Sequence, residues 1–220
     1  MKVIELHRSL TESNDRDAER LREKLKKKGI LMINLMSSPG TGKTTLLSRI
    51  IRDIGGDVRI GVLEADIEAQ VDAERIEALG ARSIQAHTDG MCHMDAGMTE
   101  AALDAMGTED LDIIFLENIG NLICPAEYDT GAGLNVMMLG VPEGDDKPLK
   151  YPLMFSMSDA LVITKTDALP FFDFDMEKCC ERVRRLNPDI RIFPVSAKTG
   201  DGMKDLEEWL KEKMLKEEMQ

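Results

Sequence analysis

Residues 30–45 read Ile-Leu-Met-Ile-Asn-Leu-Met-Ser-Ser-Pro-Gly-Thr-Gly-Lys-Thr-Thr. The mostly apolar run over 30–36 predicts a buried strand, and the apolar spacing after the glycines predicts an amphipathic helix over 44–54. A turn of small residues between them aims successive backbone N–H groups at one point, where they can hold a chain of phosphates. The stretch therefore favours a P-loop over a plain glycine-rich turn, although Ser37 stands where the pattern asks for Gly.

Each position of this turn has an expected role. Lys43 would reach the β- and γ-phosphates of a nucleotide, and the Thr44 hydroxyl would bind Mg²⁺. The predicted phosphate-binding residues are Ser38, Pro39, Gly40, Thr41, Gly42, Lys43, Thr44 and Thr45.

Composition limits the function classes. The chain has 220 residues, of which 43% are hydrophobic, so one sizeable core is expected. A net charge of −13 argues against a nucleic-acid partner, since the basic block over 24–28 is better read as a solvated helix face. No apolar stretch approaches the ~20 residues of a membrane span. Four cysteines without a secretory signal predict a cytoplasmic protein in a reducing compartment.

Strand and helix patterns alternate along the chain. A leading helix is expected within 10–28, which suggests a helical extension over 1–29 and a nucleotide-binding domain over 30–220. The alternation predicts an α/β fold with a doubly wound, mainly parallel sheet, in which ligands bind at the carboxyl ends of the strands. The predicted strands are 30–36, 58–65, 83–87, 112–117, 135–141, 160–164 and 190–195. The predicted helices are 44–54, 68–79, 95–106, 176–186 and 203–215.

Two later segments predict a guanine site. Asp167, just after the strand over 160–164, can accept both N1–H and N2–H₂ of guanine, and Lys165 can lie along the base. Downstream, the backbone N–H groups of Ser196, Ala197 and Lys198 can meet the guanine O6. Either tripeptide alone would be read as a polar loop, but their order after a P-loop favours a GTPase. Thr164 stands where the usual GTPase pattern has Asn, so one contact to the base is expected to be weaker.

Acidic residues at strand ends predict the magnesium site. Mg²⁺ takes oxygen ligands in a tight octahedron. Asp66 and Glu117 follow neighbouring strands and would bind the ion with Thr44, directly or through water, and Asp66 could orient the attacking water. Helix capping is the alternative. We name Lys43, Asp66 and Glu117 as candidate catalytic residues. Gly120 could donate its N–H to the γ-phosphate.

Cysteine and histidine suggest a second metal site. Cys92, His93 and Cys124 are thiol and imidazole ligands that suit Zn²⁺ or Ni²⁺. Three ligands do not complete a tetrahedral site, so two chains could share the ion. Buried cysteines that act as small apolar residues are the alternative. Because Cys124 follows Gly120 by four residues, the metal could sense the γ-phosphate. The adjacent pair at 179–180 is expected to be half-buried and exposed, with neither thiol a ligand.

Taken together, the motifs resemble the HypB family of GTPases, which assist nickel insertion into NiFe hydrogenase. The resemblance runs from about residue 10 to about residue 215. The motifs are Ser-Ser-Pro-Gly-Thr-Gly-Lys-Thr-Thr from 37, Asp-Ala-Glu-Arg from 72, Cys-His-Met-Asp from 92, Glu-Asn-Ile-Gly-Asn-Leu-Ile-Cys-Pro from 117, Glu-Gly-Asp-Asp-Lys-Pro from 143 and Ser-Ala-Lys from 196.

Several properties are implied by this resemblance. It implies a SIMIBI-type P-loop NTPase, slow GTP hydrolysis, GTP-linked homodimerisation, and a Ni²⁺ or Zn²⁺ site formed by Cys92, His93 and Cys124. It also implies two partners, a small zinc-bearing maturation protein and the hydrogenase large subunit. Residues 1–30 contain one His and no Cys, so the N-terminal nickel-binding and storage tracts of some family members are not expected. The alternatives are a GTPase metallochaperone for another nickel or cobalamin enzyme, of the urease type, and a non-catalytic metal buffer.

Overall fold

The computed structural model describes residues 6–65, 75–88 and 90–218. Within these residues, the strands are β1 Leu31–Ser37, β2 Ile60–Glu64, β3 Arg82–Gln85, β4 Ile113–Glu117, β5 Leu134–Gly140, β6 Ala160–Thr164 and β7 Arg191–Pro194. The α-helices are α1 Leu6–Lys27, α2 Lys43–Ile54, α3 Ala96–Met106, α4 Lys147–Lys150, α5 Pro152–Ser156, α6 Met176–Leu186 and α7 Met203–Glu218. Short 3₁₀ helices span Cys124–Ala126, Val141–Glu143 and Thr166–Phe171.

All seven strands of the described chain form one parallel sheet in the order β3-β2-β4-β1-β5-β6-β7. The central strands are buried along almost their whole length, as in a sheet that helices cover on both faces, whereas β3 and β7 are partly exposed edges. This confirms the doubly wound parallel fold. Because every strand runs the same way, their carboxyl ends meet at one edge of the sheet.

The two faces of β1 bury different partners. Leu31, Ile33 and Leu35 share a cluster with α2 and α7, whereas Met32 shares another with α1 and α3. A third cluster joins the end of β1 to α5 and α6. The alternation along one strand follows from the two-residue period of β structure, which sends successive side chains to opposite faces.

Helix α1 packs onto the sheet. Leu21 and Leu25 are almost fully buried in the same cluster as Met32 and Ile114. The leading helix is thus found where the sequence predicts it and shares the hydrophobic core of the rest of the chain. The division into 1–29 and 30–220 stays a prediction.

The predicted helix over 68–79 is helical at 75–77, and residues 66–74 lie outside the described residues. The connection after β5, for which the sequence predicts no helix, contains a 3₁₀ turn and the short helices α4 and α5. Each of these has a proline in its first turn and is too short to show helical periodicity. Among the described helices, none is long and apolar enough to cross a membrane.

Candidate nucleotide and metal site

The predicted P-loop joins β1 to α2 at the carboxyl edge of the sheet. Gly40 and Gly42 have φ values of +74° and +102°, a region that other residues rarely adopt, so the turn needs glycine there. The Lys43 ammonium is buried and donates to the Ser37 hydroxyl at 3.1 Å, and that hydroxyl donates to the Ser38 carbonyl at 2.8 Å. The side chain of Ser37 is therefore accommodated inside the turn and holds Lys43 in place.

Two acidic strand ends lie beside the P-loop. The Thr44 hydroxyl donates to Glu117 Oε1 at 3.0 Å, and Glu117 is the last residue of β4. Glu64, the last residue of β2, is buried and stands directly opposite Glu117 in the strand register. Asp66 lies outside the described residues. The sequence analysis did not select Glu64, although its place at a strand end was a usable signal. A hydroxyl and carboxylates form a donor set that suits Mg²⁺.

A second group of side chains supports the P-loop from β5 and β6. Glu143 Oε1 accepts from the Thr41 hydroxyl at 2.6 Å and from the Gly140 amide at 2.8 Å. The Thr164 hydroxyl donates to the Thr41 carbonyl at 2.8 Å, and Lys165 Nζ donates to the Gly40 carbonyl at 2.6 Å. Thr164 thus contacts the P-loop. The sequence analysis missed Glu143 as a site residue, though it begins one of the quoted motifs.

The residues predicted to bind guanine lie together. Asp167 Oδ1 accepts from the Ser196 hydroxyl at 2.8 Å, and Lys198 Nζ stands 3.9 Å from Asp167 Oδ2. The Thr166 amide donates to the Val195 carbonyl at 3.2 Å, which ties the two loops through their backbones. Ala197 is the neighbour of Ser196 in this pair of loops. Thr45 lies exposed on the first turn of α2.

The segment after β4 touches the P-loop. A Cβ on Gly120 would lie 2.9 Å from Pro39 Cγ and 3.0 Å from Pro39 N, so only glycine allows this approach. Asn118 is fully buried and donates from Nδ2 to Asn34 Oδ1 at 3.0 Å, and Asn34 in turn donates to Asn135 Oδ1 at 3.0 Å. This chain of amides fixes the start of the segment to β1 and β5.

The candidate metal ligands converge at the other end of that segment. Cys92 Sγ lies 2.8 Å from Cys124 Sγ and 3.8 Å from His93 Nδ1, and the three ligand atoms all lie within 4.8 Å of one another. Both thiols are free. A hydrogen bond to Cys124, followed by burial, raises the pKa of the Cys92 thiol, whereas burial lowers the pKa of His93. Two sulfurs and one imidazole nitrogen suit Zn²⁺ or Ni²⁺.

The neighbouring cysteines of α6 differ from expectation in their burial. Cys179 is fully buried, and burial raises its pKa to about 12, while Cys180 is half-buried. The pair was expected to be half-buried and exposed. The difference arises because α6 packs Cys179 and Val183 into the cluster beneath β5 and β6. Neither thiol belongs to the metal-ligand group found among the described residues.

The parallel sheet and the P-loop at its carboxyl edge define a P-loop NTPase of the SIMIBI type. A family model described as "CobW/HypB/UreG, nucleotide-binding domain" matches residues 31–194. The hydrogenase maturation factor HypB of Azotobacter chroococcum is 41% identical over 209 residues, which are 95% of this chain and 68% of that protein. The chain belongs to the HypB branch of the CobW/HypB/UreG family.

Further relatives agree with this assignment. The hydrogenase/urease maturation factor HypB of Helicobacter hepaticus is 40% identical over 216 residues, covering 96% of this chain and 88% of that one. The solved structure of HypB from Helicobacter pylori in complex with nickel matches with a TM-score of 0.88 and 38% identity, over 93% and 96% of the two chains. The signal recognition particle receptor FtsY of Elizabethkingia anophelis, at 13% identity and a TM-score of 0.53, shares the fold.

Proposed function

We propose that this protein is a GTPase that assists nickel delivery during the maturation of a NiFe hydrogenase. Curated relatives at about 41% identity are named hydrogenase maturation factors, and a relative has been solved in complex with nickel. The observation that carries the proposal is the continuous segment over 117–124. It begins at the partner of Thr44, touches Pro39 through Gly120, and ends at the thiol of Cys124.

The nucleotide in this proposal is GTP with Mg²⁺. Thr44, Glu117 and Asp66 hold the ion, which neutralises phosphate charge when it is bound, and Lys43 reaches the terminal phosphates. Asp167 reads the guanine edge, with Lys165 and the loop over 196–198 enclosing the base. Hydrolysis is expected to be slow, because the P-loop, the segment over 117–124 and the loops over 164–167 and 196–198 contain no arginine to stabilise the transition state.

Nickel is the cargo, and Zn²⁺ is the alternative ion for the same ligands. Cys92, His93 and Cys124 supply three donors on the surface, so water or the corresponding group of a second chain completes the coordination. The proposed form that shares the ion is a homodimer favoured by GTP. The proposed partners are a small zinc-bearing maturation protein and the hydrogenase large subunit, which this chain would meet in the cytoplasm.

The decisive experiment measures metal content and molecular mass on one preparation, with GDP and with a non-hydrolysable GTP analogue. We expect bound nickel, a larger mass with the analogue, and a different metal content in the two states. Cys124→Ala should abolish stoichiometric nickel binding. Cys180→Ser, which removes a thiol outside the metal-ligand group, is the matched control and should bind nickel as the unaltered protein does. Unchanged metal stoichiometry and GTP dependence in Cys124→Ala would refute the proposal.

Catalysis is tested separately by phosphate release. Lys43→Ala should abolish a slow but measurable GTP turnover, because the buried ammonium is the group aimed at the phosphates. Absence of phosphate release from the unaltered protein would favour a non-catalytic metal buffer.

A second client is supported by one observation. The Helicobacter relatives are named hydrogenase/urease maturation factors, so the client of this chain could be urease or another nickel or cobalamin enzyme. Deletion of the gene distinguishes a hydrogenase client from a urease client. Loss of hydrogenase activity alone, restored by excess nickel, supports the hydrogenase, whereas loss of urease activity supports the second client.

A further inference from the structure

The three candidate metal ligands come from two separate stretches of chain. Cys92 and His93 precede α3, and Cys124 lies in the turn after β4. Thiols and an imidazole on independent loops would have to be ordered by the ion itself, and that ordering would weaken binding. Besides a long hydrogen bond from Asn121 Nδ2 to the Cys92 carbonyl at 3.5 Å, the described residues show two contacts that join the stretches without any contribution from an ion.

The first contact is an aromatic stack. The rings of His93 and Tyr128 lie 3.7 Å apart between centroids, with an angle of 14° between their planes. Tyr128 follows Cys124 by four residues, so the stack connects one ligand-bearing stretch to the other. It fixes the plane of the imidazole with Nδ1 on the side of Cys92 Sγ.

The second contact passes through α1. Asn14 Oδ1 accepts from the Ala96 amide at 2.9 Å, and Asn14 Nδ2 donates to the Asp129 carbonyl at 2.9 Å. Ala96 lies three residues after His93, and Asp129 is the next residue after Tyr128. Arg22, two turns further along α1, pairs with the Asp129 carboxylate at 2.7 Å and donates to the Ala132 carbonyl at 2.9 Å. One amide on α1 therefore bridges both stretches, and Arg22 anchors one of them.

We infer that Tyr128 and Asn14 are positioning residues that hold Cys92, His93 and Cys124 together before the ion binds. The inference rests on the metal site of the proposed function. Groups that orient metal ligands without touching the ion commonly change affinity by about 10- to 100-fold. Here the N-terminal helix takes part in the metal site although it carries none of its three ligands.

The first test measures Ni²⁺ affinity by competition with a chromophoric chelator, together with the thiolate absorption of Co²⁺-loaded protein. Tyr128→Ala and Asn14→Leu should each weaken Ni²⁺ binding about 10-fold. Tyr128→Phe keeps the stack, and Ser13→Ala alters a neighbouring exposed position of α1, so both should match the unaltered protein. Asn14→Asp keeps the acceptor for the Ala96 amide and loses the donor to the Asp129 carbonyl. Its Ni²⁺ affinity should lie between those of Asn14→Leu and the unaltered protein.

The second test needs no metal. A bifunctional thiol reagent such as dibromobimane, applied to metal-free folded protein, should cross-link Cys92 to Cys124 rapidly, as read from the joined peptides by mass spectrometry. Tyr128→Ala and Asn14→Leu should slow this reaction several-fold, while Tyr128→Phe should not. Equal cross-linking rates in all variants would overturn the inference. If the unaltered protein bound no Ni²⁺, the proposed metal site would fail, and the cross-linking rates would still decide whether the stretches are held together.

Discussion

Single side chains fit the P-loop to this particular sheet. Ser37 occupies a position where the general pattern has glycine, and its hydroxyl accepts from Lys43. Thr164 occupies the place of an asparagine and donates to the Thr41 carbonyl. At both positions where the chain departs from the general GTPase pattern, the side-chain hydroxyl therefore forms a hydrogen bond with a P-loop residue. Glu143 adds two more, to Thr41 and to the Gly140 amide.

Removing the Glu143 carboxylate should loosen the P-loop. Glu143→Ala leaves the Gly140 amide without its side-chain acceptor and leaves the Thr41 hydroxyl with the Ser38 carbonyl alone. The loss of a hydrogen bond to a charged group costs about 1.5–3 kcal/mol. We expect a loss of this size in the free energy of unfolding, measured by urea titration, and weaker binding of a fluorescent GDP analogue. Glu143→Gln keeps an acceptor oxygen and should lose less. Equal stability of the alanine and glutamine variants would contradict this reading.

Among the secondary-structure elements, helix α1 is packed into the hydrophobic core of the sheet domain. Helix α1 contributes Leu21 and Leu25 to the cluster that also contains residues of β1, β4 and α3, and its Ala18 is fully buried. It also forms ion pairs with α3, among them Lys24 with Glu100 at 2.9 Å. Helix α1 is therefore expected to unfold together with the sheet.

A pair of leucine substitutions tests that expectation. Leu21→Ala empties a fully buried site and should destabilise the protein by about 2–5 kcal/mol. Leu215→Ala, at a position of α7 that is 53% exposed, should change stability by less than about 0.5 kcal/mol. Urea unfolding followed by circular dichroism should show one transition in both variants. A separate early transition for Leu21→Ala would instead support an independent N-terminal extension.

Glu207 of α7 faces Asp53 and Arg49 of α2, so we expect the contact between these helices to depend on pH. Burial, together with a hydrogen bond to Asp53, raises the pKa of Glu207 to about 7, against the opposing charges of Arg49 and Lys211. Between about pH 4.5 and pH 7, Glu207 therefore holds a proton in the folded protein, whereas the same carboxyl group has lost its proton in the unfolded chain. Stability from this group is present below about pH 4.5 and declines as pH rises toward 7.

Glu207→Gln should remove this decline. The amide donates to Asp53 at every pH, so the variant should exceed the unaltered protein in stability by about 1 kcal/mol at pH 8, a value reduced by solvent screening of a partly exposed group. At pH 4.5 the two should be alike. Thermal unfolding across this pH range measures the difference, with Glu208→Gln, an exposed neighbour on α7, as the control. If the stability of Glu207→Gln differed from that of the unaltered protein by the same amount at every pH, the raised pKa of Glu207 would be ruled out.

At the scale of the whole molecule, the nucleotide and metal sites are connected by one short segment. It is fixed at its start by buried Asn118, touches the P-loop at Gly120, and carries Cys124 at its end. If phosphate contacts shift this segment, metal affinity must depend on the nucleotide, and nucleotide affinity must depend on the metal by the same factor.

Gly120→Ala tests the connection. The added Cβ would meet Pro39 at 2.9 Å, so the segment and the P-loop must move apart. We expect the unaltered protein to change its Ni²⁺ affinity at least about fivefold between GDP and a GTP analogue, and the variant to lose most of that change. Gly56→Ala, where a Cβ meets nothing within 4 Å, is the matched control. Equal Ni²⁺ affinity in both nucleotide states of the unaltered protein would show that the sites are independent.

The parallel α/β fold and the positions of the strands could be predicted from the sequence, because buried apolar runs and turns that contain glycine are local signals. The sequence also pointed to Cys92, His93 and Cys124, whose chemistry is unusual enough to stand out in a chain. The roles of five further residues became visible from the folded chain alone, since each lies against residues far away in the sequence: Glu143, Thr164, Glu64, Asn14 and Tyr128. Which distant side chains meet depends on how helices pack across the sheet, and no local pattern of residues encodes that packing.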